Sequence, residues 1–453
     1  MIAPQKVVDD ALAAATVDET IVIVTDRAEA SLRWANNSMT TNGVSARRSV
    51  SVISVVRHGD TAHVGSVQTS EVDPAVIADV VAASEAAARD AAEAHDSAPL
   101  IGGSGDPSDW DQPVVATGAE VFGALAASLA SGFRGPDTLY GYARHEVATT
   151  FLASSTGLRR RFTQPTGSVE LNAKRDGASA WAGISTPDFV DVPTDRLLSE
   201  LSTRLGWSRQ TVSLPAGRYP TLMPPSTVAD MLIYMAWMMD GRGAQEGRTA
   251  FSAAGGGTRV GERLTQLPVT LYTDPSVTPL QCRPFVAATS SSETMSVFDN
   301  GMDIERVDWV RDGVINALAY SRASAAEFNA PVALPADNLV MTGGEESLDE
   351  MIASTERALL LTTLWYIRPV DPTMLLLTGL TRDGVYLVEE GRVSAAVNNF
   401  RFNESPLDLL SRATGVGATE VTLPREWSDY ATRVAMPPLM IPDFYMSSVS
   451  QAQ

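Results

Sequence analysis

The chain has 453 residues, 44% hydrophobic and 19% charged, a globular composition with enough apolar surface for two or three packed domains. Its net charge is −20 and its only lysines are Lys6 and Lys174, so it repels phosphate backbones and direct nucleic-acid binding is not expected. There is no apolar run of about eighteen residues, no signal-peptide pattern at the N-terminus, and a single cysteine, Cys282. No membrane association and a reducing, cytoplasmic setting are therefore expected.

The first hundred residues alternate helix and strand signals. VVDDALAAA suggests a short helix, TIVIVTD a buried strand and LRWANN a second strand. SVSVISVVRHGDTAHVGSVQ resembles two strands joined at His58-Gly59-Asp60. PAVIADVVAASEAAARDAAEAH is Ala-rich with helical apolar spacing, and SAPLIGGSGDPSDWDQP then reads as a linker or long loop. From 113 to 215, GAEVFGALAASLASGF predicts a helix, and the short β-branched runs after it predict an antiparallel meander. The third region, 216–453, opens with STVADMLIYMAWMMDG after a double proline. Thr227 and Asp230 have capping-box spacing there, and Gly241 is placed to end the helix. LLLTTLWYIRPVD, TMLLLTGLTRDG, VYLVEEG and RVSAAVNNFRF read as strands. The expected class is α+β: an N-terminal α/β region (1–100), a central helix plus meander (113–215) and a C-terminal domain rich in antiparallel sheet (216–453).

Motifs for chemistry are mostly missing. The four histidines are His58, His63, His95 and His145, and none has H-E-x-x-H spacing. His145-Glu146 is the best pair for a nonstandard site. Cys282 stands without a histidine signature, and the default for it is a structural thiol. GGSGD lacks the last glycine of a nucleophile elbow, and AAGGGTRVGERL lacks the lysine of a phosphate loop. Two stretches join polar groups to strands. Trp365, Tyr366 and Arg368 lie on one, and Asn398, Asn399, Arg401, Asn403 and Glu404 near the end of another. Such side chains beside an exposed strand edge suit an extended peptide, and hairpin or interface packing accounts for them equally well.

LRWANNSMTTNG (32–43), LYGYARHEVATTFLASSTGLRRRFTQPTG (139–167), SETMSVFDNGMDIERVDWVRDGVINALAYSRASAAEF (292–328) and the block from Leu364 to Leu410 resemble the TldD/PmbA family, historically called modulators of DNA gyrase. The likeness covers nearly the whole chain. The resemblance implies a cytoplasmic metallopeptidase of two related subunits, TldD and TldE (also called PmbA), acting on unfolded or leader peptides and antitoxins. TldD-type subunits carry H-E-x-x-x-H on the helix after a proline-containing strand, and a cysteine ligand near the C-terminus. Laid onto this chain, that pattern puts Ile233 and Tyr234 at the His-Glu pair and Met238 at the second histidine. Alkyl, phenol and thioether groups cannot replace two imidazoles and a carboxylate base. TEVTLPREWSDYATRVAMPPL contains no cysteine, and no histidine follows His145. The resemblance is thus to the TldE side. It implies a non-catalytic subunit binding no cofactor itself, with zinc in a TldD-like paralogue that completes a heterodimer. The alternative left open is a stand-alone peptide- or antitoxin-binding protein; a direct role at gyrase has little support from the acidity.

Overall fold

The computed structural model describes residues 2–59 and 61–451. Its N-terminal half is built on one antiparallel sheet of long strands: β1 (Glu19–Ala35), β2 (Ser38–His58), β3 (Thr61–Thr69), β4 (Thr138–Ser154), β5 (Arg159–Arg175) and β6 (Ala178–Ser185), in the order β3-β2-β1-β4-β5-β6. The class is α+β, as expected. The division between 1–100 and 113–215 needs correction, because β1 pairs with β4 along almost its whole length, from Ile21–Ser154 to Trp34–Gly141. The Gly/Pro/Ser-rich stretch is a surface connection within one unit. TIVIVTD and the LRWA of LRWANN also merge into β1, since pairing with β2 continues through the polar residues between them. The turn after His58 falls partly outside the described residues, at Asp60.

Period-2 alternation gives this sheet two different faces. Val22 and Val24, with Val50 and Val52, pack under α1 (Pro4–Ala14) and α2 (Pro74–Asp90). Further along the same face, Leu32, Trp34, Leu139 and Leu171 pack under α3 (Gly123–Gly132) and α4 (Thr194–Trp207). The opposite face turns toward the C-terminal half. There Ile21, Ile23, Ile53 and Leu152 meet Phe285, Val297 and Phe298. The two halves are also tied by Gln164 donating to Gln281 O (3.1 Å), Arg433 to Thr166 Oγ1 (2.7 Å) and Ser428 to Glu170 Oε1 (3.1 Å).

The C-terminal half holds two further sheets. The larger starts at an edge strand, Leu364–Asp371, and runs through Leu376–Thr381, Phe400–Glu404 and Leu439–Val449 to β8 (Gly217–Met223). It continues through Arg357–Leu361, Val385–Glu389 and Arg392–Val397 to β7 (Thr211–Val212). LLLTTLWYIRPVD is therefore two strands: Arg357–Leu361 lies beside β8, whereas Leu364–Asp371 lies at the edge. The break is at Thr362 and Thr363, where the last bond toward the neighbouring strand runs from the Thr362 amide to Gly384 O, just before Val385. RVSAAVNNFRF divides in the same way at Asn398-Asn399.

From β8 the double proline launches α5 (Pro225–Trp237) into the largest apolar core. Pro225 fits the first turn, where its missing N–H costs no hydrogen bond. Met231, Leu232, Met235 and Met239 are all buried in that core. The helix ends are not those read from the sequence. Pro224 is the N-cap, Thr227 Oγ1 donates to Pro224 O, and the helix stops at Met238. Gly241 instead opens the next short helix, Gly241–Gln245, which Asp240 caps.

Close backbone approach makes one glycine a sharp test of the helix layer. A Cβ on Gly65 of β3 would run into Ser84 O and Ala88 N of α2. Gly65→Ala is expected to destabilise the protein by about 1–3 kcal/mol, the cost of overpacking, read as a lower thermal midpoint.

Candidate functional site

The positions singled out by the family resemblance do come together. The second half of α5 packs against the loop 424–433, which belongs to the C-terminal stretch that the resemblance assigns to the third zinc ligand. Their junction is filled by rings. Trp427 stacks edge-on to Trp237 at 5.1 Å and lies 5.8 Å from Tyr234, and Tyr430 lies 6.5 Å from Trp237. Ile233 is buried, while Tyr234 and Met238 are half-buried. None of the three offers an imidazole, carboxylate or thiolate, and no group of three or more His, Cys, Asp or Glu suited to a metal occurs among the described residues. A hydrolytic zinc does not fit this donor set.

A carboxyl holds the junction. Asp230 of α5 is fully buried; its Oδ1 accepts from Glu426 N (2.9 Å), and its carbonyl accepts from Trp427 Nε1 (2.8 Å). Its Oδ2 has no partner. Burial drives its pKa well above the ordinary 3.8, against the hydrogen bond from Glu426. Glu426 in turn accepts from Tyr366 N (2.7 Å), Ile367 N (3.0 Å) and Arg368 (3.0 Å), covering part of the exposed sheet edge. Tyr366 has φ 57°, so two successive N–H groups converge on that carboxylate, a small backbone nest for an anion.

The peptide-binding candidates divide between two settings. Trp365, Tyr366 and Arg368 are on the edge strand, with Arg368 over the Tyr366 ring at 4.3 Å and Arg425 over Trp365 at 5.3 Å. Phe400–Glu404 is an interior strand and offers no free edge. Register nevertheless puts Trp365, Leu380 and Arg401 in one row and Arg368, Thr378 and Asn403 in another, so four candidates share a surface. Asn403 Oδ1 has no partner there. Asn398 stands apart, accepting from Leu214 N (2.7 Å) to pin the connection after α4, and Asn399 O accepts from Ser450 N. Glu404 is buried and paired with Arg412 at 2.8 Å.

His145-Glu146 is not a catalytic pair. Adjacent strand residues point to opposite faces. His145 is buried on the helix side, bonded to Thr117 Oγ1 (2.6 Å) and Pro187 O (2.9 Å), with its pKa lowered by burial. Glu146 faces the other way and meets Arg144 at 2.9 Å.

That other face borders a cleft against loop 428–433, which sequence reasoning did not identify. One cavity of about 300 Å³ is lined by Arg27, Arg47, Tyr142, Arg144, Glu146 and Arg433 among others. A second, of about 170 Å³, lies against α5 between Ile233, Trp237, Trp309, Tyr430 and Val434. Tyr430 and Arg433 line both. The available signal was alternation: Arg27 and Glu29, and Arg144 and Glu146, each sit two residues apart and so on one face.

A six-stranded antiparallel sheet docked on a β-rich half, with a proline-led helix meeting a C-terminal loop, is the metallopeptidase-like architecture of the PmbA and TldD proteins. The model of the PmbA/TldA metallopeptidase C-terminal domain matches residues 216–448. The chain belongs to the TldD/PmbA family. Among solved structures it is similar to TldE from Thermococcus kodakarensis (14% identity, TM-score 0.78, 97% of this chain and 99% of that one). It is also similar to a protein described as a candidate modulator of DNA gyrase from Thermotoga maritima (16%, TM-score 0.75, 98% and 100%). A third, so described from Bacteroides thetaiotaomicron, gives 16%, 0.75, 99% and 100%. At these identities the likeness establishes the fold. No curated protein matches the sequence significantly. No helix among the described residues is long and apolar enough to cross a membrane.

Two outcomes test the local chemistry. Asp230 stays protonated in the folded state at pH values where the unfolded chain has ionised it, so its contribution to stability falls as pH rises above the ordinary carboxylate pKa. Asp230→Asn should therefore melt higher than wild type at pH 7, with the difference shrinking as pH falls toward about 4. Burial pushes the Cys282 thiol up to about 11. At pH 8 it should resist a disulfide-exchange reagent in the native protein and react fully in denaturant.

Proposed function

We propose that this chain is the TldE/PmbA-like, non-catalytic subunit of a heterodimeric zinc metallopeptidase that degrades or matures small or unfolded peptides. The observation that carries the reading is the junction of α5 with loop 424–433. Aromatic and alkyl side chains and a buried carboxyl occupy the place to which the family resemblance assigns the zinc ligands. Cleavage then belongs to a TldD-like paralogue, which supplies metal, base and nucleophilic water. This chain contributes a wall of the peptide chamber. The side chains of Trp365, Tyr366 and Arg368, flanked by Arg401 and Asn403, suit an extended peptide lying along the part of the sheet edge that Glu426 does not cover. Family membership and the resemblance to TldE support the subunit assignment, and the single cysteine accords with a reducing, cytoplasmic setting.

The test is metal analysis and peptide hydrolysis on the purified chain, alone and with a TldD-type partner. Alone, it should hold no stoichiometric zinc and cleave nothing. With the partner it should elute as a heterodimer whose proteolysis a chelator abolishes. Tightly held zinc with chelator-sensitive proteolysis in the lone chain would overturn the proposal.

A further inference from the structure

The cleft between the N-terminal sheet and loop 428–433 has a charge pattern that the proposed subunit role does not require. In a chain of net charge −20, the sheet presents three guanidinium groups, Arg27, Arg47 and Arg144, to a single shared carboxylate. Arg144 makes good contacts, to Glu29 at 2.8 Å and Glu146 at 2.9 Å. Arg27 and Arg47 reach Glu146 only at 3.5 Å each, at the outer limit of a hydrogen bond. Two carboxylates thus serve three cations, and the two poorly paired ones border open space.

The surrounding charges sharpen this imbalance. Arg433 is fully engaged, by Asp337 and Thr166. Arg283 donates to Phe285 O (3.1 Å), and among the described residues no carboxylate lies in salt-bridge range of it. On the acidic side, Asp429 also lines the cleft, and Glu170 is held by Trp181 and Ser428, with burial raising its pKa. Arg27 and Arg47 are therefore the poorly paired cations of the cleft, and an incoming anion there displaces no strong ion pair. The neighbouring cavity against α5 shares Tyr430 and Arg433 with the cleft, and Ile233, Trp237 and Trp309 there leave room for a large side chain.

We infer that this cleft recognises a carboxylate-bearing peptide, with a bulky apolar side chain in the cavity beside α5 and the carboxylate on Arg27 and Arg47. The inference rests on the peptide-handling role proposed above and narrows it to a substrate class. The carboxylate comes either from the peptide's C-terminus or from an acidic side chain beside the apolar residue.

Fluorescence anisotropy on the full chain, without a partner, distinguishes these. The probes are an N-terminally fluoresceinated hexapeptide ending in phenylalanine as the free acid, its C-terminal amide, and the amide with aspartate beside the phenylalanine. At least one carboxylate peptide should bind roughly tenfold tighter than the plain amide, and which one gains identifies the source. The double variant Arg27→Gln/Arg47→Gln should abolish the gain and leave both the melting temperature and the affinity for the plain amide unchanged. Serine in place of the phenylalanine should weaken all three. Equal binding of the three probes to wild type, or a gain that survives in the double variant, overturns the inference and leaves the subunit role standing. Failure to bind any probe overturns the inference together with the peptide-handling part of that role.

Discussion

One buried carboxyl organises the C-terminal half. Asp230 lies on a helix whose buried side is mostly apolar, and its Oδ1 accepts the backbone N–H of Glu426. That bond seats loop 424–433, and the loop's own side chains reach out from it. Glu426 covers two amides of the sheet edge, Trp427 closes the helix face, and Ser428 and Arg433 reach the N-terminal sheet. A carboxyl buried with one oxygen unpartnered is costly when ionised, so burial raises its pKa and favours its use as a neutral acceptor.

On the subunit role proposed above, the same arrangement lets a peptidase fold serve without hydrolytic chemistry of its own. A zinc site needs donors aimed at one point and an open coordination position for water. Here the approach of α5 to the loop is retained, but its interior is packed with Tyr234, Trp237 and Trp427. Ring packing stabilises the contact that metal coordination would otherwise stabilise, and it leaves a cavity shaped for a side chain. The degenerate site and the charged cleft are neighbours because both border the one loop.

Long-range pairing defined what local signals could not. His145 and Glu146 are adjacent in the chain and point to opposite sides of a sheet. Arg27, Arg47 and Arg144 come from three strands far apart in sequence and line one cavity. The Asp230 spacing that reads as a helix cap fits a buried tie equally well, because a cap is recognised locally and a tie needs its distant partner. Asn398 shows the converse: it was read as peptide-binding, yet its amide carbonyl pins the linker at Leu214.

Composition, alternation and the missing histidines were enough to determine the α+β class, the largely apolar character of the helix after the double proline and the lack of imidazole and thiolate on it. These are properties of residue type and short-range period, and they survive any folding of the chain. Tertiary structure alone decided that the first two regions share one sheet, that Leu364–Asp371 is an edge and Phe400–Glu404 is not, and that three arginines compete for one carboxylate. Those depend on which strands pair and in what register, and a shift of one residue would turn each side chain to the opposite face.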